Sequence, residues 1–385
     1  MTECMRILVV DDEPDLEALF RQRFRKRVRE GELSFLFARN GNEALRVLEE
    51  DQEIGLVFTD INMPEMDGLT LLGKLLELGR PLRTVVVSAY GDIQNIRTAM
   101  NRGAFDFLTK PIDFEDLEVT LDKTLRELMR IREAQEAQYR LRVLDHELDA
   151  ARTIQQAMLP SVFPERKDFD LYATMTPAKG VAGDFYDFFL LGPSRIGLVI
   201  ADVSGKGIPA ALLMALTRTL LRATAQGGAD PDVCLAQVNR ALCGDKEYSR
   251  FVTLFYGQAD LESGELRYCN AGHNPPFVIR AETVEEVLPV GGLVLGVKAD
   301  ADYARGSVTL GQGETLFLYT DGVTEAMNSA NAQYGEERLL RALREPAGSA
   351  RELVERVERD VAVFTGGRPP SDDVTCLAFT FNGPA

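Results

Sequence analysis

GLVFTDINMPEMDG, residues 55–68, carries an apolar run straight into a carboxylate, Asp60, and then into a loop punctuated by Pro64 and Gly68. A short continuous apolar run of this kind fits a strand covered on both faces, as in a parallel sheet. Four similar runs surround it: RILVV (6–10), LSFLF (33–37), RTVVV (83–87) and FDFLT (105–109). Amphipathic patterns such as GNEALRVLEE (41–50) fill the gaps. Strands alternating with helices predict a doubly wound α/β domain with a five-stranded parallel sheet. Such sheets bind ligands beyond the C-terminal ends of their strands. Asp11, Asp12 and Asp60 fall there.

Three carboxylates at one sheet mouth ionise together only at a cost, which a cation removes. Mg²⁺ takes oxygen ligands and bridges carboxylates to phosphoryl groups. Asp60 can act as a carboxylate nucleophile towards phosphorus. Lys110 can neutralise the product, and Ser88 offers a hydroxyl to the same oxygens. Any one of these residues alone reads as a solvated loop position; all of them at the right strand ends do not.

The motifs VVDDEPD (9–15), TDINMPEMDG (59–68), VVSAYGD (86–92) and FDFLTKP (105–111) resemble the CheY-like receiver domain of two-component response regulators. The resemblance implies a receiver over residues 1–125, with Asp60 the phosphoacceptor. It implies a Mg²⁺ held by Asp12 directly, by Asp11 through water, by Asp60 and by the carbonyl of Asn62. Ser88 and Phe107 match the switch pair and Lys110 the phosphate-pairing lysine. A sensor histidine kinase or phosphotransfer protein is the implied partner.

Residues 114–159 contain no Pro or Gly. Leu117, Leu121, Thr124, Leu128 and Ile131 keep a 4-3 spacing, and Leu141, Leu144, Leu148 and Ala151 keep it again about one residue out of phase. The pattern predicts a helical coiled-coil linker over 114–160 and a homodimer through it; a surface helix packed on its own domain is the alternative. The phase break makes this helix the expected two-state element. Pro160 and Pro164 end it.

Residues 161–385 differ in texture. IGLVIADV (196–203), FVTLFYGQAD (251–260), ELRYCNAG (265–272) and TLFLYTDGV (315–323) read as strands, and 208–225 and 231–242 as helices. This predicts an α+β layered β-sandwich flanked by helices. AGDFYDF (Asp184, Asp187), ADVSGKG (Asp202), YTDGVTEA (Asp321, Glu325) and SDDVT (Asp372, Asp373) place carboxylates at or beside the ends of β runs. An oxygen-only set selects Mg²⁺ or Mn²⁺, and two such ions suit phosphate-monoester hydrolysis. Taken singly, Asp187 and Glu325 read equally well as turn residues.

These blocks, with AARTIQQAMLP (150–160) and NAGHNPP (270–276), resemble the PPM phosphatases, closest to the RsbU-like and SpoIIE-like branch. The resemblance implies a metal-dependent protein serine/threonine phosphatase. Asp202 would bridge two ions, with the Val203 carbonyl, Asp184, Asp321 and Asp372 as further ligands; Asp373 is the rival for the last place. Glu325 falls where some members hold a third ion. Lys179 stands where eukaryotic members meet the phosphate with an arginine, though a solvated loop lysine is the plainer reading. Ala182 replaces a glycine, and Ser204 stands where those members have a histidine. That leaves water or His273 to protonate the leaving group. The implied substrate is a phosphoserine or phosphothreonine protein, an anti-sigma-factor antagonist in a partner-switching pathway. The alternative is a phosphorylation-controlled binding module with a weak or inactive phosphatase domain.

The composition agrees. Net charge is −17, from 60 acidic against 43 basic side chains, which disfavours nucleic acid and anionic lipid. Five scattered cysteines give neither a disulfide framework nor a zinc motif. No apolar run approaches the roughly 18 residues of a membrane span, so a cytoplasmic protein is expected. AGDFYDF superficially resembles the diguanylate cyclase signature GGDEF, but that reading gives Asp321 and SDDVT no role.

Overall fold

The computed structural model describes residues 4–89, 92–244, 250–281, 283–287 and 291–384; Tyr90 and Gly91 of the VVSAYGD motif lie outside them. It divides into two compact units, Met1–Val143 and Leu144–Ala385.

The first unit runs β1 (Met5–Val10), α1 (Pro14–Arg23), α2 (Arg25–Arg29), β2 (Leu33–Ala38), α3 (Gly41–Glu50), β3 (Ile54–Asp60), α4 (Gly68–Glu77), β4 (Arg83–Ala89), α5 (Ile93–Asn101), β5 (Asp106–Lys110) and the start of α6 (Phe114–Met158). All pairings are parallel, in the order β2-β1-β3-β4-β5. Every residue of β3 is buried, as its unbroken apolar run requires. Asn40 and Asp67 cap α3 and α4 by accepting from the amides of Glu43 and Thr70. Gly68 is forced: a Cβ there would meet the Asp60 carbonyl at 2.1 Å.

Helix α6 is continuous over 45 residues, but its first apolar seam is not a coiled-coil seam. Leu117, Leu121, Leu125 and Leu128 join Phe20, Phe24, Phe58 and Val85 in one core cluster. The expected dimer seam over this stretch is corrected to a helix packed on its own domain. The 4-3 spacing was right; what covers the face is the sheet. Over the second seam Leu141 and Leu144 are exposed.

The second unit continues with β6 (Phe169–Thr176), β7 (Phe185–Leu190), β8 (Arg195–Val203), α7 (Ile208–Gln226), α8 (Pro231–Leu242), β9 (Val252–Asp260), β10 (Glu265–Ala271), β11 (Phe277–Ile279) and β12 (Val284–Glu286). It ends with β13 (Gly306–Thr309), β14 (Thr315–Tyr319), α9 (Asp321–Thr324), α10 (Glu336–Arg344), α11 (Ala350–Thr365) and β15 (Val374–Phe381). Two five-stranded sheets, β13-β10-β9-β8-β7 and β12-β11-β14-β15-β6, are antiparallel throughout. Helices α7 and α8 lie on the first and α10 and α11 on the second. The main core joins the two sheets through Phe185, Leu198, Phe255, Leu318 and Phe379.

Two expectations change here. The run 315–323 stops being strand at Tyr319, and Asp321 opens the helical turn α9. Helix α7 is long and apolar enough to cross a membrane by length and composition, contrary to the sequence expectation. Its Ala210, Met214 and Leu221 are nevertheless buried in the domain core.

Candidate metal and phosphoryl sites

In the first unit the ligand oxygens of Asp11, Asp12 and Asp60 lie within 4.8 Å of one another. Lys110 Nζ sits 2.5 Å from Asp60 Oδ2 and 2.9 Å from Asp11 Oδ2. Burial raises the Asp11 carboxyl above its ordinary range against the pull of Lys110. Burial also opposes the Lys110 charge, but its bonds to Asp60 and Asp11 prevail and hold the ammonium above its usual pKa. The Asn62 amide donates to Asp60 Oδ1 at 3.2 Å. Ser88 is fully buried, and its Oγ has no hydrogen-bond partner among the described residues. A buried hydroxyl beside a carboxylate site, left without a partner, fits a group that waits for phosphoryl oxygens. Phe107 is exposed.

In the second unit the carboxylates come from both sheets. The β7–β8 register pairs Phe185 with Ala201, which sets Asp184 across from Asp202. The two carboxylates are close enough for Asp202 to repel the Asp184 charge. From the other sheet, Thr375 Oγ1 donates to Asp184 Oδ2 at 2.8 Å. The Thr375 amide in turn donates to Thr320 Oγ1 at 3.0 Å. That threonine clasp brings Asp321 and the 372–373 pair to the same end of the sandwich. Gly322 allows it: a Cβ would meet the Asp373 carbonyl at 1.9 Å. Gly183 likewise packs on the Val203 carbonyl, 2.9 Å from where a Cβ would stand.

The electrostatics are those of a cation site. Burial, then repulsion from Asp202, pushes Asp184 well above the carboxylate range. Burial and Asp321 raise Asp202 to about 6. Burial, then Glu325 and Asp372, raise Asp321. Four acids that strain against one another without a cation, with neither cysteine nor histidine among them, fit Mg²⁺ or Mn²⁺. The set is looser than the receiver trio.

The structure separates Asp372 from Asp373. Asp373 is buried, its two oxygens accepting from the amides of Ala178 and Gly183 at 2.8 and 2.7 Å. It organises the loop before Asp184. Asp372 is part-exposed, its Oδ2 2.8 Å from Lys206 Nζ. Lys206 was missed in the sequence, where SGKG reads as a turn. Lys179 is exposed. Glu325 is exposed beside Asp321. Asp187 faces Arg218 and Arg222 at 3.1 and 3.2 Å and is a structural ion-pair residue.

His273 is buried, and burial lowers its pKa to about 4. Its Nδ1 lies 2.9 Å from Thr253 Oγ1 and its Nε2 3.2 Å from the Tyr319 carbonyl. A neutral ring donating from Nε2 and accepting at Nδ1 satisfies both. It ties β9 to β14 and reaches no carboxylate of the set through these bonds. Ser204 Oγ accepts from the Phe251 amide at 2.9 Å.

Comparison with known proteins gives a family for each domain. The response regulator receiver domain family matches residues 7–122, and the Stage II sporulation protein E (SpoIIE) family matches residues 192–382. Protein IcfG of Synechocystis sp. is 31% identical over 60% of this chain and 41% of its own length. Phosphoserine phosphatase RsbU of Bacillus subtilis is 32% identical over 55% of this chain and 63% of its own. The chain thus spans less than two thirds of either relative. The solved SiaA-PP2C domain of Pseudomonas aeruginosa aligns with a TM-score of 0.54 at 25% identity, covering 63% of this chain and 98% of that domain. The chain thus carries a response regulator receiver domain and a SpoIIE-family domain of PP2C fold.

Proposed function

We propose that the chain is a metal-dependent protein serine/threonine phosphatase controlled by phosphorylation of Asp60. The observation that carries the catalytic half is the β7–β8 register that sets Asp184 opposite Asp202, with the Thr375 and Thr320 links bringing Asp321 and Asp372 to the same end from the second sheet. The fold and the phosphoserine phosphatase RsbU among its relatives support the same reading. Asp202, Asp184, Asp321, Asp372 and the Val203 carbonyl are the groups that would hold two divalent ions. Glu325 stands beside Asp321 for a third. Two such ions supply, when bound, a hydroxide nucleophile at neutral pH and a clamp on the phosphoryl oxygens. Asp373 and Gly183 hold the loop that presents Asp184. Neutral His273 holds Tyr319 ahead of Asp321. It is no general acid, so the leaving oxygen takes its proton from water.

In the receiver, Mg²⁺ on Asp11, Asp12, Asp60 and the Asn62 carbonyl would serve phosphoryl transfer from a histidine kinase or phosphotransfer protein. Asp60 would take the phosphoryl group, the Ser88 hydroxyl would donate to its oxygens, Lys110 would pair with it, and Phe107 would change its packing. Helix α6 contributes to both units, so its packing is the route of control. The exposed residues Tyr139, Leu141 and Leu144 support a homodimer along its second half. The substrate is a phosphoserine protein, by analogy with RsbU, and we assign an anti-sigma-factor antagonist in the cytoplasm. The test is phosphate release from a phosphoserine protein with Mn²⁺ or Mg²⁺, in wild type and Asp202→Ala. Equal rates in the two proteins would remove the catalytic assignment.

A further inference from the structure

Lys206 lies in the turn between β8 and α7, flanked by Gly205 and Gly207, both at positive φ (90° and 78°). These left-handed positions suit glycine and fix the direction in which the lysine leaves the backbone. Its ammonium makes two bonds to one short segment, 2.8 Å to Asp372 Oδ2 and 2.6 Å to the Ser371 carbonyl. It also pulls on Asp321. The ammonium is therefore seated at the outer rim of the carboxylate set, on an oxygen that a divalent ion would need.

We propose that Lys206 is a tethered competitor of the metal at Asp372. It neutralises that carboxylate in the metal-free protein and sets the affinity of the ion that displaces it. The inference rests on the metal-site reading above. Two features make displacement feasible. Both side chains are part-exposed, 40% and 39%, so the pair is screened and easily broken. The lysine stem is also long and unbranched, free to swing into solvent. An ammonium and a metal ion on one oxygen repel each other, so each weakens the other's hold on Asp372. Affinity is then reduced by whatever the ion pair contributes.

The experiment is calorimetric titration of the full chain with Mn²⁺, for wild type, Lys206→Met, Lys206→Arg, and Lys206→Met on an Asp372→Asn background. An exposed pair worth up to about 1 kcal/mol corresponds to about fivefold tighter binding in Lys206→Met. Lys206→Arg should stay near wild type. On the Asp372→Asn background the lysine substitution should change little, since the pair is already gone. Lys179→Met controls for general charge and should leave the affinity where it was. Equal or weaker binding by Lys206→Met, or an undiminished gap without Asp372, overturns the proposal while the metal site stands. Failure of the wild type to bind Mn²⁺ beyond the receiver's one ion would instead remove the metal site itself, and the proposal with it.

Discussion

The side-chain amide of Gln155 is bonded twice to the backbone of Ala182: Nε2 donates to the carbonyl at 2.7 Å and Oε1 accepts from the amide at 2.9 Å. Gln155 is buried near the end of α6, and Ala182 is fully buried two residues before Asp184. Gln155→Ala leaves both backbone groups buried and unpaired, at about 1–3 kcal/mol each. The expected result is a lower urea midpoint together with weaker Mn²⁺ binding. Gln155→Glu keeps the acceptor and loses the donor, so it should fall between. A Gln155→Ala protein with wild-type metal affinity would show that α6 does not position the Asp184 loop.

The raised Asp202 carboxyl makes the metal-free protein pH-sensitive. Its pKa is about 6 in the fold against an ordinary 3.8, so the native state holds the extra proton between those values. Its contribution to stability is present below about pH 3.8 and is lost as pH rises through about 6. Chelator-treated protein should therefore have a lower urea midpoint at pH 7.5 than at pH 5, and Mn²⁺ should erase the difference. Binding of Mn²⁺ at pH 6 should release protons, measurable as a dependence of the calorimetric heat on buffer. A heat independent of buffer would contradict the assignment.

Asp187 separates structure from catalysis within one motif. Asp187→Asn leaves Arg218 and Arg222 without their acid; the pair is buried on the Asp187 side and partly solvated at Arg222. A loss of about 2–4 kcal/mol is expected in chemical denaturation, with Mn²⁺ affinity unchanged at temperatures where the protein is folded. Asp184→Asn should do the reverse, weakening metal binding.

His273→Gln tests the neutral, structural histidine. The variant should lose about 1–2 kcal/mol of stability from the tie between Thr253 and Tyr319, and its rate profile against pH should keep the wild-type shape. A profile that loses an acidic limb would return His273 to the chemistry.

The receiver was legible because each strand is an apolar run and its chemistry sits on the next residue. The 55–68 stretch carries strand, phosphoacceptor and loop together. The spacing alone leaves the first seam of α6 between a dimer and a packed helix, because a 4-3 spacing reports which face is apolar, and Leu117 and Leu121 look the same against a sheet as against a second helix. TLFLYTDGV ran too far because Gly322 must lie on the Asp373 carbonyl, a contact 51 positions away in the chain. Asp372 and Asp373 were inseparable as letters. Their roles divide only when the Ala178 and Gly183 amides are brought to one of them by the fold. Lys206 had no signal beyond a glycine-flanked turn.

The measurement that bears most directly on the whole account is phosphate release from a phosphoserine protein by the full chain with Mn²⁺, before and after phosphorylation of Asp60 by a small phosphodonor. The rate should change by about tenfold or more in the wild type and stay constant in Asp60→Asn. An unchanged wild-type rate, with Asp60 demonstrably phosphorylated, would contradict it.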